Sequence, residues 1–343
     1  MPIIYLLRYL KSLFKKQRIF GALGLTLSLV VLCSLLVFFF EIGKNPNIKS
    51  FGDILWWSIV TISTVGYGDI APVTVGGRIT SVFMMLFGIG FLATLMGSIV
   101  SVLIEFNERR TKGMASFNFK QHFVICGWYP KTEELILEIK GDKRYQDKEV
   151  IIIDDKLEQL PEEYKHVYFV KGRATDPEVL QRANVKECYS AIILARNPED
   201  PRSDYETVST VLTIERIERK VFTCAELVDT KNKKLLEDAY CDAIIDIGSL
   251  TGKIIIQSIL DPGVNDVVSE LVSTREGQQY YLVDLPKKYA NKEYKIICHD
   301  LIDKGVNVFG IRRKDKVLVN PAITTKLEDE DKVYVISKEV PRI

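Results

Sequence analysis

The sequence predicts a chain of two unlike parts. A membrane α-helical part, with two spans and a re-entrant helix between them, leads into a water-soluble α/β part of the doubly wound type that ends in a small α+β lobe. Three observations predict this. Two uncharged apolar runs, Ile19 to Phe40 and Ile79 to Ile104, flank a shorter run from Phe51 to Ser63. From about Gln121, strand-length apolar runs alternate with helical stretches. The composition also changes at that point, so the overall 47% apolar content and net charge of +1 average over both parts and point to no nucleic-acid partner.

The elements follow in order. Residues 1–18 carry Arg8, Lys11, Lys15, Lys16 and Arg18 and read as a basic segment lying on an inner leaflet. Ile19 to Phe40 is the first span, because about twenty residues at about 1.5 Å each cross a hydrocarbon core of about 30 Å. It is too long for a signal peptide, and no small-residue cleavage site follows Phe38-Phe39-Phe40. Phe51 to Ser63 is too short to cross and reads as a re-entrant helix, which a membrane tolerates only where protein or a wet cavity surrounds it. Ile79 to Ile104 is the second span. Gly88, Gly90 and Gly97 lie within it, and Gly88 is the expected hinge, with close helix packing as the competing use of glycine. Arg109, Arg110 and Lys112 follow it. Basic residues outside both spans place both termini in the cytoplasm.

Between the short run and the second span stands Thr64-Val65-Gly66-Tyr67-Gly68, followed by Asp69. This pentapeptide is the known lining of potassium-selective pores, where carbonyls of four copies replace the water around a dehydrated ion. Gly66 and Gly68 permit the positive backbone angles that turn successive carbonyls one way. Val65 and Tyr67 then point away from the axis, and the Thr64 hydroxyl lines the inner end. The expected bound ion is K+.

In the soluble part, His122 to Cys126, Glu149 to Asp154, Val167 to Val170, Ala191 to Leu194, Val221 to Cys224 and Ala243 to Ile247 read as strands. Lys131 to Lys140 and Pro177 to Ala183 read as helices. Such alternation gives a parallel sheet with helices on both faces. A second lobe begins after Asp261-Pro262-Gly263.

This order, with Val124-Ile125-Cys126-Gly127-Trp128 at the first strand and turn, resembles the prokaryotic two-transmembrane potassium channels with a cytoplasmic RCK domain, in their calcium-gated form. The fold class is therefore a membrane α-helical pore of two spans, re-entrant pore helix and filter, joined to a Rossmann-like RCK domain with a small C-terminal lobe. The expected bounds are 1–18 for the N-terminus, 19–112 for the pore domain and 113–120 for a linker. Residues 121–260 form the first lobe and 261–343 the second. The resemblance implies a homotetramer in the lipid bilayer of a prokaryotic inner membrane. Its cytoplasmic ring, which further RCK copies started at Met114 could complete, senses a ligand and opens the inner helices.

The resemblance implies Ca2+ as gating ligand, bound by one aspartate and two glutamates. Carried over, these positions hold Ala195, Glu226 and Val228. One acid of three remains, with Asp229 nearby, and calcium sites are tuned by ligand charge. Glu226 and Asp229 are the expected metal ligands. The acids Glu199, Asp200, Asp204, Glu237, Asp238, Asp242 and Asp246 read as solvated faces. A nucleotide is the alternative ligand. Its residues would be Gly127 in the first turn and Asp154 at the second strand end, but the turn Gly127-Trp128-Tyr129-Pro130 lacks the two further glycines that let a backbone approach a pyrophosphate.

Nothing predicts catalysis. The three histidines, His122, His166 and His299, lie on or beside predicted strands without a paired nucleophile, though His299 adjoins Cys298 and Asp300. The six cysteines form no Cys-x-x-Cys pair and read as reduced core residues. A membrane-tethered oxidoreductase is discounted by the missing glycines. A non-conducting regulatory subunit of a potassium transporter is discounted by the intact filter. No array of spaced arginines precedes the pore, which argues against a voltage-sensing domain.

Overall fold

A computed structural model of the chain describes residues 17–164, 167–275 and 277–341. The basic segment expected at 1–18 lies almost wholly outside the described residues, as does His166. The chain divides into two compact units between Arg109 and Arg110.

The first unit is helical. Helix α1 (Gln17–Glu41) carries no charge between Arg18 and Glu41. Helix α2 (Phe51–Ile62) is the short re-entrant piece, and the Asp53 carboxylate accepts the backbone N–H of Lys49 and Ser50 at its first turn, each at 2.8 Å. Helix α3 (Val75–Thr111) contains Val75–Ser101, which is long and apolar enough to cross a membrane. Its 37 residues exceed a hydrocarbon core of about 30 Å, so α3 runs beyond the predicted second span at both ends. The three helices share a core of Cys33, Val37, Ile54, Trp57 and Met84. A Ser34–Ser58 hydroxyl contact of 2.8 Å ties α1 to α2.

The second unit begins with β1 (Phe123–Cys126), α4 (Pro130–Gly141), β2 (Val150–Asp154), β3 (Val167–Lys171), α5 (Pro177–Arg182) and β4 (Ser190–Ile193). It continues with α6 (Ser203–Ile217), β5 (Phe222–Leu227), α7 (Lys233–Asp238), β6 (Ala243–Asp246) and α8 (Ile247–Leu260). The six strands form one sheet in the order β3-β2-β1-β4-β5-β6, and every pairing is parallel. Side chains alternate between faces along each strand. Phe123 and Ile125 pack with Ile136 of α4 on one face, while Val124 and Cys126 pack with Leu180 of α5 and Ile214 of α6 on the other. Both faces are covered at β1 and β2, which is why these strands read as continuous apolar runs, whereas Phe222 of β5 and Ile245 of β6 stay exposed. Ile247, placed in the sixth strand by its apolar neighbours, instead opens α8, because the Asp246 carboxylate accepts the Ser249 N–H and caps a helix there.

The second lobe holds α9 (Val264–Val272), β7 (Gln279–Asp284), α10 (Tyr294–Ile302), β8 (Asn307–Arg313), β9 (Lys316–Val319) and β10 (Lys332–Ser337). Its strands form an antiparallel sheet in the order β7-β10-β8-β9. His299 sits on α10 rather than beside a strand. The run Tyr294 to Ile302 places Tyr294, Ile297 and Leu301 on one buried face at helical spacing.

Candidate functional site

The filter loop follows from how α2 ends. Val65 N–H and Gly66 N–H both donate to the Val60 carbonyl, at 3.1 and 3.3 Å, so the chain doubles back over the last turn. From there the hand of the backbone alternates: φ is +60° at Thr64, +58° at Gly66 and +75° at Gly68, with Val65 and Tyr67 on the ordinary side. Successive carbonyls of an ordinary strand point opposite ways, and alternating the hand brings them to one side. A Cβ added at Gly66 or Gly68 would meet nothing within 4 Å. These glycines are there for their φ, not for space. The positive φ of Thr64 is unexpected for a β-branched residue, and strain of this kind gathers at functional sites.

The loop is braced from behind by residues that the sequence alone does not single out. Trp56 of α2 stacks on Tyr67, with centroids 6.0 Å apart and planes 9° from parallel, and its indole N–H donates to Asp69 at 2.9 Å. At the other end of the segment the Glu41 side chain is buried at the C-terminus of α1. One carboxylate oxygen accepts the Thr74 N–H and hydroxyl at 2.8 and 2.6 Å, and the other accepts the Val73 N–H at 2.9 Å and the Asn45 amide at 2.8 Å. Thr74 in turn accepts the Gly77 N–H at 3.0 Å and so caps α3, placing a carboxylate at a helix N-terminus, where its charge is favoured.

Gly88 lies in unbroken helix, and a Cβ there would come 2.7 Å from Ile62 Cγ1, at the end of α2. Gly90 and Gly97 would meet nothing within 4 Å. Gly88 thus has a packing reason beside the expected hinge role. Gly88→Ala is expected to lower open probability with selectivity retained. Single-channel records of Gly88→Ala with and without Ile62→Ala separate the two roles: recovery in the double variant assigns packing, and no recovery assigns the hinge.

In the second unit the strand order reverses between β1 and β4, which opens a crevice beyond their C-terminal ends. Gly127 (φ +115°) and Asp154 line or border it, as do Tyr129, Arg173 and Arg196. The Tyr129 ring folds against Gly127, where an added Cβ would meet it at 2.5 Å. Burial pushes the Tyr129 phenol up to about 12, so it stays neutral. Asp154 accepts the N–H of Trp128, Lys156 and Leu157 at 3.0, 2.8 and 2.7 Å, which spends both oxygens on backbone. Arg173 and Arg196 both pair with Asp155, and Arg196 also pairs with Glu206. Burial works against the charge on Asp155, but the Arg196 pairing prevails and holds its carboxyl below the ordinary range.

Glu226 and Asp229 stand apart in their bonding. Both Glu226 oxygens contact the Lys131 ammonium at 2.5 Å, and one also accepts the Ala195 N–H at 2.8 Å. Asp229 caps the turn after β5 by accepting the Lys231 N–H at 3.0 Å. Among the described residues no three His, Cys, Asp or Glu side chains gather into a metal-binding group. At the expected cation site a lysine from α4 contacts the Glu226 carboxylate, and Asp229 is engaged by the turn after β5. Asp204, expected on a solvated face, is fully buried, and it accepts the N–H of Val228 and Asp229 and the Asn232 amide.

Known proteins share both units. Residues 25–105 match the ion-channel family, and residues 118–234 match the calcium-activated potassium channel slowpoke-like RCK domain. The chain is 27% identical over 300 residues to the calcium-gated potassium channel TvoK of Thermoplasma volcanium, covering 86% of this chain and 84% of that one. It is 24% identical over 330 residues to the putative potassium channel protein YugO of Bacillus subtilis, covering 94% and 100%. Among solved structures it resembles the GsuK channel, with 17% identity and a TM-score of 0.50 over 98% of this chain, and the human SLO3 gating ring, with 16% identity and a TM-score of 0.51 over 63%. It spans 57% and 44% of those two chains, and the likeness is one of fold.

Proposed function

We propose that this chain, whose residues 25–105 match the ion-channel family and 118–234 the slowpoke-like RCK domain, is a ligand-gated, potassium-selective channel of the prokaryotic kind that joins a two-span pore to a cytoplasmic RCK domain. Its relatives are channels and not enzymes. Four copies surround one pathway in a prokaryotic inner membrane, with both termini in the cytoplasm and K+ in the filter. Residues 19–112 form the pore, 113–120 the linker, and 121–260 and 261–343 the lobes of a ring that further RCK copies complete. The observation that carries this reading is the alternating backbone hand from Thr64 to Gly68. The test is a planar-bilayer recording of the full chain under opposed potassium and sodium gradients, with calcium, adenine nucleotides and pH varied separately on the cytoplasmic side. Equal permeability to the two ions overturns it.

Calcium is the ligand this reading favours, since the relative from Thermoplasma volcanium is a calcium-gated channel. The residues at Glu226 do not fit the ion as they stand. Calcium takes six or more oxygens at about 2.3–2.6 Å, whereas here one carboxylate is held by an ammonium and the neighbouring family positions are Ala195 and Val228. Sensitivity to calcium is accordingly expected to be low. Lys131→Met removes the competing charge and should raise it about tenfold, equivalent to about 1.4 kcal/mol, and Glu226→Gln should cancel that gain. Calcium titrations of open probability that overlay for all three proteins exclude Glu226. A response to adenine nucleotides instead of calcium would favour the second reading, a nucleotide-regulated channel. Its supporting observation is the pair of arginines, Arg173 and Arg196, in the crevice beside Gly127.

A further inference from the structure

Within the second unit, the segment that follows α3 is sewn to β3 and to the end of α5 along its length. Gly113, at φ +67°, lies so close to β3 that an added Cβ would meet the Lys171 nitrogen at 2.5 Å. Its carbonyl accepts the Lys171 N–H at 2.8 Å and the Arg182 guanidinium at 2.9 Å, and the same guanidinium reaches the Lys171 carbonyl. Phe117 N–H donates to the Arg182 carbonyl at 2.8 Å, the Asn184 amide donates to the Phe119 carbonyl at 2.8 Å, and a His122 ring nitrogen lies 2.9 Å from the Ala183 carbonyl. Phe117 and Phe119 pack on Tyr168 of β3. The C-terminal end of α5 therefore grips the strap that follows the second span.

The other end of α5 belongs to the crevice. Lys171 is followed directly by Gly172, Arg173 and Ala174, which line it. Gly172 N–H donates to the Asp154 carbonyl at 3.0 Å, and Arg173 pairs with Asp155. Gly172 also packs so closely on Val179 of α5 that an added Cβ would meet it at 2.5 Å. The crevice wall and the strap are thus two ends of one short, closely packed piece, with Arg182 bridging β3 and Gly113.

Resting on the ligand-gating reading, we infer that Arg182 is the positioning residue that transmits the state of the second unit to the pore-lining helix, by fastening Gly113 to the β3–α5 corner. A guanidinium contributes two charged hydrogen bonds here, and losing them frees the strap without touching the filter or the crevice residues.

The test compares the full chain with Arg182→Ala and with Arg182→Lys, which keeps the charge and preserves the fold if alanine does not. Amides of residues 113–122 in Arg182→Ala should exchange hydrogen about tenfold faster, while those of β7 and β8 stay unchanged. In bilayers, Arg182→Ala should shift basal open probability and flatten the response to calcium, with calcium binding to the purified channel unaltered and Arg182→Lys partly restoring the response. Unchanged exchange at 113–122 overturns the inference. So does faster exchange with basal and calcium-dependent open probability both as in the unmodified chain. If calcium moves neither protein, the calcium reading fails by itself, and the latch is then decided on basal open probability: a shift supports it and no shift overturns it.

Discussion

Replacing Gly66 by alanine is expected to abolish potassium-selective current while leaving the protein folded and assembled. The residue sits at φ +58° with open space where a Cβ would go, so the penalty is conformational and not steric. An L-residue in that region costs about 1–2 kcal/mol, which is small beside the stability of a membrane domain. It is large for a single peptide plane, because the chain relieves it by rotating the carbonyl away from the axis, and one rotated carbonyl per copy removes a ring of ligands. Reversal potentials under potassium and sodium gradients check this. Gly66→Ala channels with the selectivity of the unmodified chain would show that the alternating hand of the loop is not what selects potassium.

The second large effect is expected at Glu41. All four groups bonded to its carboxylate are donors: two backbone N–H groups, the Thr74 hydroxyl and the Asn45 amide. Glu41→Ala removes the acceptor of the Val73 and Thr74 donors and of one Asn45 amide hydrogen, while Asn45 keeps its bond to the Ala71 carbonyl at 2.9 Å, at about 1–3 kcal/mol for each group that water does not reach. Glu41→Gln is no remedy, because its amide nitrogen is itself a donor and would face either the Thr74 pair or the Val73 and Asn45 pair. Both variants should lower the thermal midpoint of the detergent-purified protein by several degrees or more, alanine most. They should also loosen the segment from Ala71 to Thr74, which links the filter to α3. Superimposed melting curves would mean that Glu41 merely occupies the site without holding it together.

The filter is legible from residue names because its chemistry is carried by the backbone, and only glycine adopts the required φ without strain. The spans and the six strands are legible for a related reason. Burial on all sides removes charge, and a long uncharged run would be costly to leave facing water. Local rules also account for the first turn of α4 at Pro130 and the α5 cap at Asp176, since both act within three residues.

What the residue names leave open are the pairings that depend on which distant segments meet. Glu226 reads as a free calcium ligand until a parallel sheet in the order β3-β2-β1-β4-β5-β6 brings Lys131, 95 residues earlier, over its carboxylate. Asp204 reads as solvated until α6 lays it against the turn after β5. Glu41 is one acid at the end of an apolar run, and it becomes a buckle only when the segment 71–74 returns to it. Gly88 is assigned from its helix alone, whereas its neighbour Ile62 belongs to another. The pore architecture, the filter and the sheet class thus follow from residue order, because periodicity, charge and backbone freedom act over a few residues. The charge partner of Glu226, the strap from Gly113 to Arg182 and the brace at Glu41 follow only from the folded chain, because ion pairs and hydrogen bonds form between groups that folding, and not chain order, brings within about 3 Å.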